Sequence, residues 1–510
     1  MVMIYINGES LTIEDVISVS REYLPVVLSP EAHLKMEASR NYIEQIISEG
    51  STVYGVNTGL GKLRNITISK EELRTLQYNL LKSHSCGAGE PLEEEIVRSA
   101  MLLRANTLAK GYSGVRPDVV YKLLELLNNK VTPFVPEQGS VGASGDLAPL
   151  AHIGLTLIGE GKAFYNGELL PGNEALLRAG IEPLKLEPKE GLSLINGTQI
   201  MTALGVKAIA DSMILLKLSD IIGAISLEAI LATDTVFNEL LYRVRPYRGQ
   251  KVTAENFRKL LYDSEIVSSH KSCSRVQDPY SFRCIPQVHG IVKDAFKFSR
   301  NLIEIELNAS NDNPLVFPEE KLVLSGGNFH GQPLAFALNA LSIALCYLGN
   351  ISERRIDKLL SFSEGGLPAF LSAQDGLNSG FMIAQYTAAS LCNENKILAY
   401  PGSVDSIPTS GGYEDLVSMG TTAGRFAKKI IENLFYILAI ELVVALQALD
   451  FRKPLKPGAG TRLIYSWVRE EIPPLNGDRF IYSDIQKAFK MLKSGVLIKD
   501  LEKELGEILI

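Results

Sequence analysis

The chemistry open to this chain is concentrated in one short run, Gly142-Ala143-Ser144-Gly145-Asp146. A serine between small residues suggests a nucleophile, but the hydrolase elbow requires glycine two positions to either side, and Asp146 stands where the second belongs. A different reaction is available to Ala143-Ser144-Gly145. Neither flank carries bulk, so the Gly145 amide nitrogen can reach the Ala143 carbonyl, and glycine tolerates the compressed dihedrals of ring closure. Loss of water from the ring and from Ser144 would leave an exocyclic methylene conjugated to an imidazolone, an electrophile no ordinary side chain supplies. Taken alone, Ser140 to Leu147 reads more simply as a tight turn capping a helix.

A second run, Tyr54-Gly55-Val56-Asn57-Thr58-Gly59-Leu60-Gly61-Lys62, invites a phosphate-binding reading that fails. A P-loop needs glycine where Val56 stands and Ser or Thr where Leu63 stands. A dinucleotide fingerprint needs a βαβ setting that a helix-rich chain does not offer. There is no HExxH, no cysteine pair and no calcium loop, so neither a metal nor a nucleotide cofactor is expected.

The elements that must position these residues read as helices. Ser29 before Pro30 and Ser69 with Glu72 look like helix starts. After Ser69, Leu73, Leu76, Leu80 and Leu81 fall on one face, and the loop from Ser83 to Gly89 ends that helix. Val131 to Gly154 is dense in Gly, Pro and Ser yet lies in apolar sequence, which predicts a buried loop. Thr202 to Thr233, Gln332 to Ser361 and Thr421 to Leu449 have helical spacing over roughly 45 Å each and are too apolar to stand alone in water. Strand signals are confined to Val2 to Ile6 and Lys321 to Leu324. The expectation is a mainly α protein built on a bundle of long helices.

Composition narrows the partners. The chain has 510 residues, 46% hydrophobic and 21% charged, enough apolar surface for a large core. Its net charge of −7 lacks the basic surplus that nucleic acid or an anionic membrane would demand, so a small molecule or a protein is the expected partner. Five scattered cysteines (Cys86, Cys273, Cys284, Cys346, Cys392) suggest reduced thiols in the cytoplasm. The start, MVMIYINGES, does not read as a signal peptide. Charges interrupt the apolar stretches (Lys207, Asp211, Lys217 and Asp220 in one, Glu432 and Glu441 in another), which argues against spanning helices.

Around the tripeptide the sequence resembles the aromatic amino acid ammonia-lyases over nearly its whole length. The matches are GSVGASGDLAPLAHIG around Ser144, YGVNTGLG from Tyr54, Ser83-His84, Leu194 to Thr198 and Val276 to Cys284. Asn311 to Pro314, Gly326 to Gly331, Gly376 to Gly380, and Glu414-Asp415 before Val417 to Gly420 complete the series. The resemblance implies a helical bundle of the ammonia-lyase and fumarase-like type, with an N-terminal domain at 1–110 and a large helical domain at 111–510. It also implies the cofactor 4-methylideneimidazole-5-one, formed by the chain itself from Ala143, Ser144 and Gly145.

By the same resemblance Tyr54 takes the β-proton of an amino acid whose amine bonds to the Ser144-derived methylene. A phenol ordinarily ionises near pH 10, so such a base needs cations or hydrogen bonds beside it. Tyr280 counts with the catalytic residues. Arg283 would hold the carboxylate, and with Tyr280 three positions away the two would share a helical face. Asn196 and Gln277 would donate amide hydrogen bonds to the carboxylate and the cofactor oxygen. Phe329 would wall the pocket. Ser83 and His84 would contact the substrate side chain and, with Glu414, make the chain most similar to the histidine enzymes, because one imidazole can hydrogen bond to another. Family members are homotetramers whose sites combine residues of three subunits.

Two departures leave other readings open. Where histidine enzymes have Ala-Asn-Gln before the Glu-Asp pair and His after it, this chain has Gly411-Gly412-Tyr413 and Leu416. Tyr413 would then narrow the pocket or replace a hydrogen bond, which keeps phenylalanine or tyrosine lyases and aminomutases in view. A helical amino-acid-binding scaffold that never cyclises is the non-enzymatic alternative. The Ser-Ser-x-Met-Pro loop of the fumarase-like group is not in the sequence.

Overall fold

A computed structural model describes residues 3–59, 61–271, 275–361, 365–372 and 376–510. Val2, Leu60 and Cys273, each part of a reading above, lie outside them. The described residues include twenty α-helices and nine short strands, so the mainly α expectation holds. The three long stretches are helices at Gln199–Ala229, Gln332–Leu360 and Gly420–Asp450. A fourth, Ile285–Leu307, escaped the sequence reading because Lys293, Asp294, Lys297 and Arg300 break its apolar run.

Charges inside the long helices do not face water as their types suggested. Glu441 is fully buried and receives Arg355 Nε at 2.6 Å and Nη2 at 3.0 Å, together with the Ser226 hydroxyl at 2.6 Å. Asp220, equally buried, accepts from His289 Nδ1 at 2.7 Å and Asn256 Nδ2 at 2.8 Å. Buried charges persist only when paired in this way, and removing one partner would leave the other uncompensated. Gln332–Leu360 and Gly420–Asp450 are in fact long and apolar enough to cross a membrane. Within the protein, however, 72% and 89% of their most apolar windows are buried, as befits core helices.

The chain divides into two compact units. The first contains residues 1–208, 300–339 and 401–425; the second contains 209–299, 340–400 and 426–510. Local signals account for much of the first. The Ser29 hydroxyl accepts from the Ala32 amide at 3.1 Å, Pro30 opens the helix Pro30–Glu49, and Gly50 closes it at φ 71°. Ser69 and Glu72 form a turn rather than a helix cap: their side chains meet at 2.6 Å, and the helix begins afterwards at Leu73–His84. Its predicted face is real, with Leu73, Leu80 and Leu81 buried.

The stretch from Val131 to Gly154 corrects the loop reading in part. It holds strands Thr132–Pro133 and Pro136–Gln138, a loop over 139–146, and the start of the helix Leu147–Leu157. The expected strands are present as Ile4–Ile6, parallel to Val26–Leu28, and Leu322–Leu324, antiparallel to Leu315–Phe317. The hairpin Lys162–Tyr165 with Glu168–Pro171, and the strand Ala88–Pro91, were missed. Such short pairings carry little periodic signal.

Candidate active site

Within the first unit a cavity of about 760 Å³ gathers Tyr54, Ser83, His84, Ser144, Asn196, Phe329 and Glu414. These residues are far apart in sequence, and each arrives on a different device. The last turn of Leu73–His84 presents Ser83 and His84, while Leu76 and Leu80 from the same helix supply apolar wall. The short helix Glu190–Ile195 ends at Asn196. Tyr54 sits at the start of a segment closed by a Thr58 to Thr67 bridge, and Glu414 closes a turn by bridging to Thr409.

The loop over 139–146 is held from several sides. Gly142 and Gly145 have φ of 66° and 77°, a left-handed region that favours glycine. A Cβ on Gly142 would lie 2.2 Å from Ser418 Oγ, and one on Gly145 would lie 2.2 Å from the Gly197 carbonyl. The Asp146 amide donates to that Gly197 carbonyl at 2.7 Å, and Ser418 Oγ donates to the Gly142 carbonyl at 2.8 Å. The Gly145 amide makes no hydrogen bond among the described residues, which leaves its nitrogen available. Asn196 Nδ2 donates to the Ser144 carbonyl at 2.8 Å, and Ser144 Oγ donates to Glu414 Oε1 at 2.6 Å. Asn196 Oδ1 is buried and has no donor among the described residues.

Five expected site residues are not among those lining this cavity, and of these Ala143 and Gly145 flank Ser144 in the loop just described. Gln277, Tyr280 and Arg283 belong to the second unit. There Tyr280–Arg283 is one helical turn, and the spacing argument holds locally: the Arg283 guanidinium lies 5.0 Å from the Tyr280 ring centroid and Arg283 donates to Gln277 Oε1. Tyr280 is 70% exposed. Tyr413, expected to narrow the pocket or replace a hydrogen bond, is absent from the cavity lining, and its ring packs under Arg64, whose guanidinium carbon lies 4.3 Å from the centroid. Leu416 is exposed.

The aromatic amino acid lyase family matches residues 11–470. The chain belongs to that family. Histidine ammonia-lyase of Caldanaerobacter subterraneus subsp. tengcongensis is 50% identical over 504 residues, 99% of each chain. The crystal structure of histidine ammonia-lyase from Trypanosoma cruzi superposes with a TM-score of 0.92 at 42% identity, covering 99% of this chain and 96% of that one. Tyrosine aminomutase from Streptomyces globisporus gives 0.94 at 37% identity, covering 100% of both.

In this aromatic amino acid lyase the groups that sequence reasoning missed lie behind the site. Asp146 figured only as a mismatch to the hydrolase elbow, yet its buried carboxylate accepts from Thr421 Oγ1 at 2.6 Å, Ser140 Oγ at 2.7 Å and the Met201 amide at 2.9 Å. Burial nevertheless raises its pKa above the usual carboxylate value. Arg104 donates to the Asn196 carbonyl at 3.0 Å and to Gln199 Oε1 at 2.9 Å, and burial lowers it to about 10. A charged residue inside an apolar stretch is the only signal that could have found either.

His84 is paired with Ser83 Oγ through Nδ1 at 3.0 Å. Burial lowers its pKa below the ordinary 6.5, against opposing contributions from the Leu80 carbonyl and Glu414. The folded state thus favours neutral imidazole, and the unfolded chain binds more protons as the pH falls through and below about 6.5. Stability tied to His84 is fully present above that value and declines on acidification. The expected result is that His84→Asn flattens the loss of thermal midpoint on acidification below about pH 6.5; an unchanged slope would remove His84 as its source.

Proposed function

We propose that this lyase removes ammonia from L-histidine and releases trans-urocanate, with 4-methylideneimidazole-5-one as its electrophile. The observation that carries the reading is the meeting of Ser144, Asn196, His84 and Glu414 in one cavity of the first unit. The tripeptide suits that group: small flanks, left-handed Gly145, a free Gly145 amide and an amide donor on the Ser144 carbonyl favour closure and would draw electrons from the ring. Formed from Ala143, Ser144 and Gly145 and faced by Asn196, the group would supply an electrophile for the substrate amine and so ease departure of ammonia.

The chain's own side chains account for the rest. Tyr54 takes the β-proton, the C–H electrons form the α,β double bond, and the Cα–N bond breaks with its pair on nitrogen. Asn196 Oδ1, lacking a donor, suits an N–H of the incoming amine. Ser83 holds the His84 ring in place, and His84 with Glu414 offers hydrogen bonds to the substrate imidazole. Phe329 walls the cavity. Gln277, Tyr280 and Arg283 would come from another copy of the chain in a cytoplasmic homotetramer, with Arg283 forking onto the carboxylate. The exposure of Gln277 and Tyr280 supports this reading, and the histidine ammonia-lyase activity named for the relatives supports the choice of substrate.

Substrate choice is tested by supplying L-histidine, L-phenylalanine and L-tyrosine separately and following the absorbance of each conjugated acid. Growth of urocanate is expected; cinnamate or coumarate alone would refute the histidine assignment. The similarity to a tyrosine aminomutase favours a second reading, in which ammonia returns to the β-carbon, and chromatography for a β-amino acid decides between the two. His84→Leu should cut kcat/KM for histidine by about 10- to 100-fold while sparing or improving phenylalanine, because it leaves the substrate ring's polar atoms unpaired. An unchanged preference would contradict that role.

A further inference from the structure

Tyr54 and Glu414 reach the same cavity from two segments that are each closed upon themselves. The Tyr54 segment is pinned at its base by Asn57, which accepts from the Val53 amide at 2.8 Å and donates to the Ser51 carbonyl at 2.8 Å. The Ile68 amide returns to the Asn57 carbonyl at 3.0 Å, and beyond it the Gly59 amide donates to Ile66 at 2.8 Å. The Glu414 turn is equally local. The Thr409 amide donates to the Glu414 carbonyl at 2.9 Å, and Thr409 Oγ1 donates to Glu414 Oε2 at 2.9 Å. These bonds shape each segment but do not fix one against the other.

Two contacts do. Gly61 lies so near the turn that a Cβ there would stand 2.8 Å from Ser410 Oγ. Three residues on, the Arg64 guanidinium covers the Tyr413 ring at 4.3 Å. Both contacts connect directly to reactive side chains. The Gly61 amide points to the Tyr54 hydroxyl at 3.5 Å, and Tyr413 adjoins Glu414, whose Oε1 holds Ser144. Tyr413 is also one of the positions where the chain departs from the pattern of the histidine enzymes.

We propose that Arg64 and Tyr413 form a positioning pair, a cation stacked on an aromatic ring, that holds the segment bearing Tyr54 in register with the turn bearing Glu414. The pair touches no substrate. It acts by keeping the proton acceptor and the carboxylate at fixed separation across the cavity, where misplacement costs rate rather than affinity. The proposal rests on the cavity being the reaction site.

The test is a double-substitution cycle in the full chain with R64M, Y413L and both together, alongside Y413F, which keeps the ring. Each single change is expected to lower kcat for L-histidine by about two- to five-fold, the size of an exposed cation–π contact, with little change in KM. The double variant should lose no more than either single, and Y413F should recover most of the loss. Both side chains are exposed, so the thermal midpoint and the water deficit of the subunit mass should stay at parental values. Amide hydrogen exchange at Gly59 and Ile66 should quicken in Y413L, a readout that needs no turnover. Additive losses, a Y413F that behaves like Y413L, or a Y413L that alters neither turnover nor exchange would overturn the pair. Faster exchange in Y413L, in a parent chain that does not turn over histidine, would overturn the substrate assignment and leave the pair standing.

Discussion

Ser144→Ala should lower deamination by on the order of 10³-fold or more while leaving the fold in place. The expectation follows from what ammonia elimination needs. An amine is a poor leaving group and the β-proton is weakly acidic, and among the cavity side chains only a Ser144-derived electrophile would change the first of these. Alanine keeps the small volume that the loop between Val141 and Asp146 requires, and Gly142 and Gly145 keep their left-handed backbone. The hydrogen bond from Ser144 Oγ to Glu414 Oε1 belongs to the open tripeptide and goes with the hydroxyl on ring closure, so alanine removes no such bond from the ring-closed parent. Steady-state kinetics with L-histidine checks the rate and a thermal melt checks the fold. A variant that keeps a tenth of the parental rate would show that Ser144 is an ordinary pocket residue.

Tyr54→Phe should lower kcat by about 10²- to 10⁴-fold, the range for losing a positioned general base, with KM changed only a few-fold because the ring remains in the cavity. The two substitutions separate the two halves of the chemistry. Ser144→Ala should leave no electrophile, whereas Tyr54→Phe should still form it but lack an acceptor for the β-proton. Substrate deuterated at the β-carbon sharpens the distinction, since slow proton removal should give Tyr54→Phe a larger isotope effect than the parent. A loss below ten-fold would move the base to another residue.

The sequence was most informative where periodicity is strong and where a residue type admits few uses. Gln332–Leu360 and Gly420–Asp450 were placed to within a residue because their apolar runs are long, and Ser29 before Pro30 marked a helix start that the structure keeps. Ile285–Leu307 was lost because a mixed polar surface hides its period. Ser69 and Glu72 misled because their side chains do meet, but in a turn one step ahead of the helix.

The site was legible as a set of residue types and much less so as geometry. Seven of the expected residues line one cavity, but nothing in their spacing tells that Glu414 reaches Ser144 or that Asn196 donates to its carbonyl. Asp146 and Arg104 went unread because, Ser140 apart, the partners named for their side chains come from segments 55 to 275 positions away, a closeness created by packing alone. Tyr413 draws notice as a departure from the resembled motif, but a motif does not tell which way a side chain turns: Glu414 lines the cavity while the Tyr413 ring packs under Arg64.

The central claim is that Ala143, Ser144 and Gly145 have closed into a ring, and the mass of the intact, freshly purified subunit tests it most directly. The account predicts a subunit lighter than its sequence by two water molecules, with the deficit confined to the peptide containing residues 140–147 and absent from Ser144→Ala. A subunit at its full sequence mass would contradict it, leaving the family's fold without the family's electrophile.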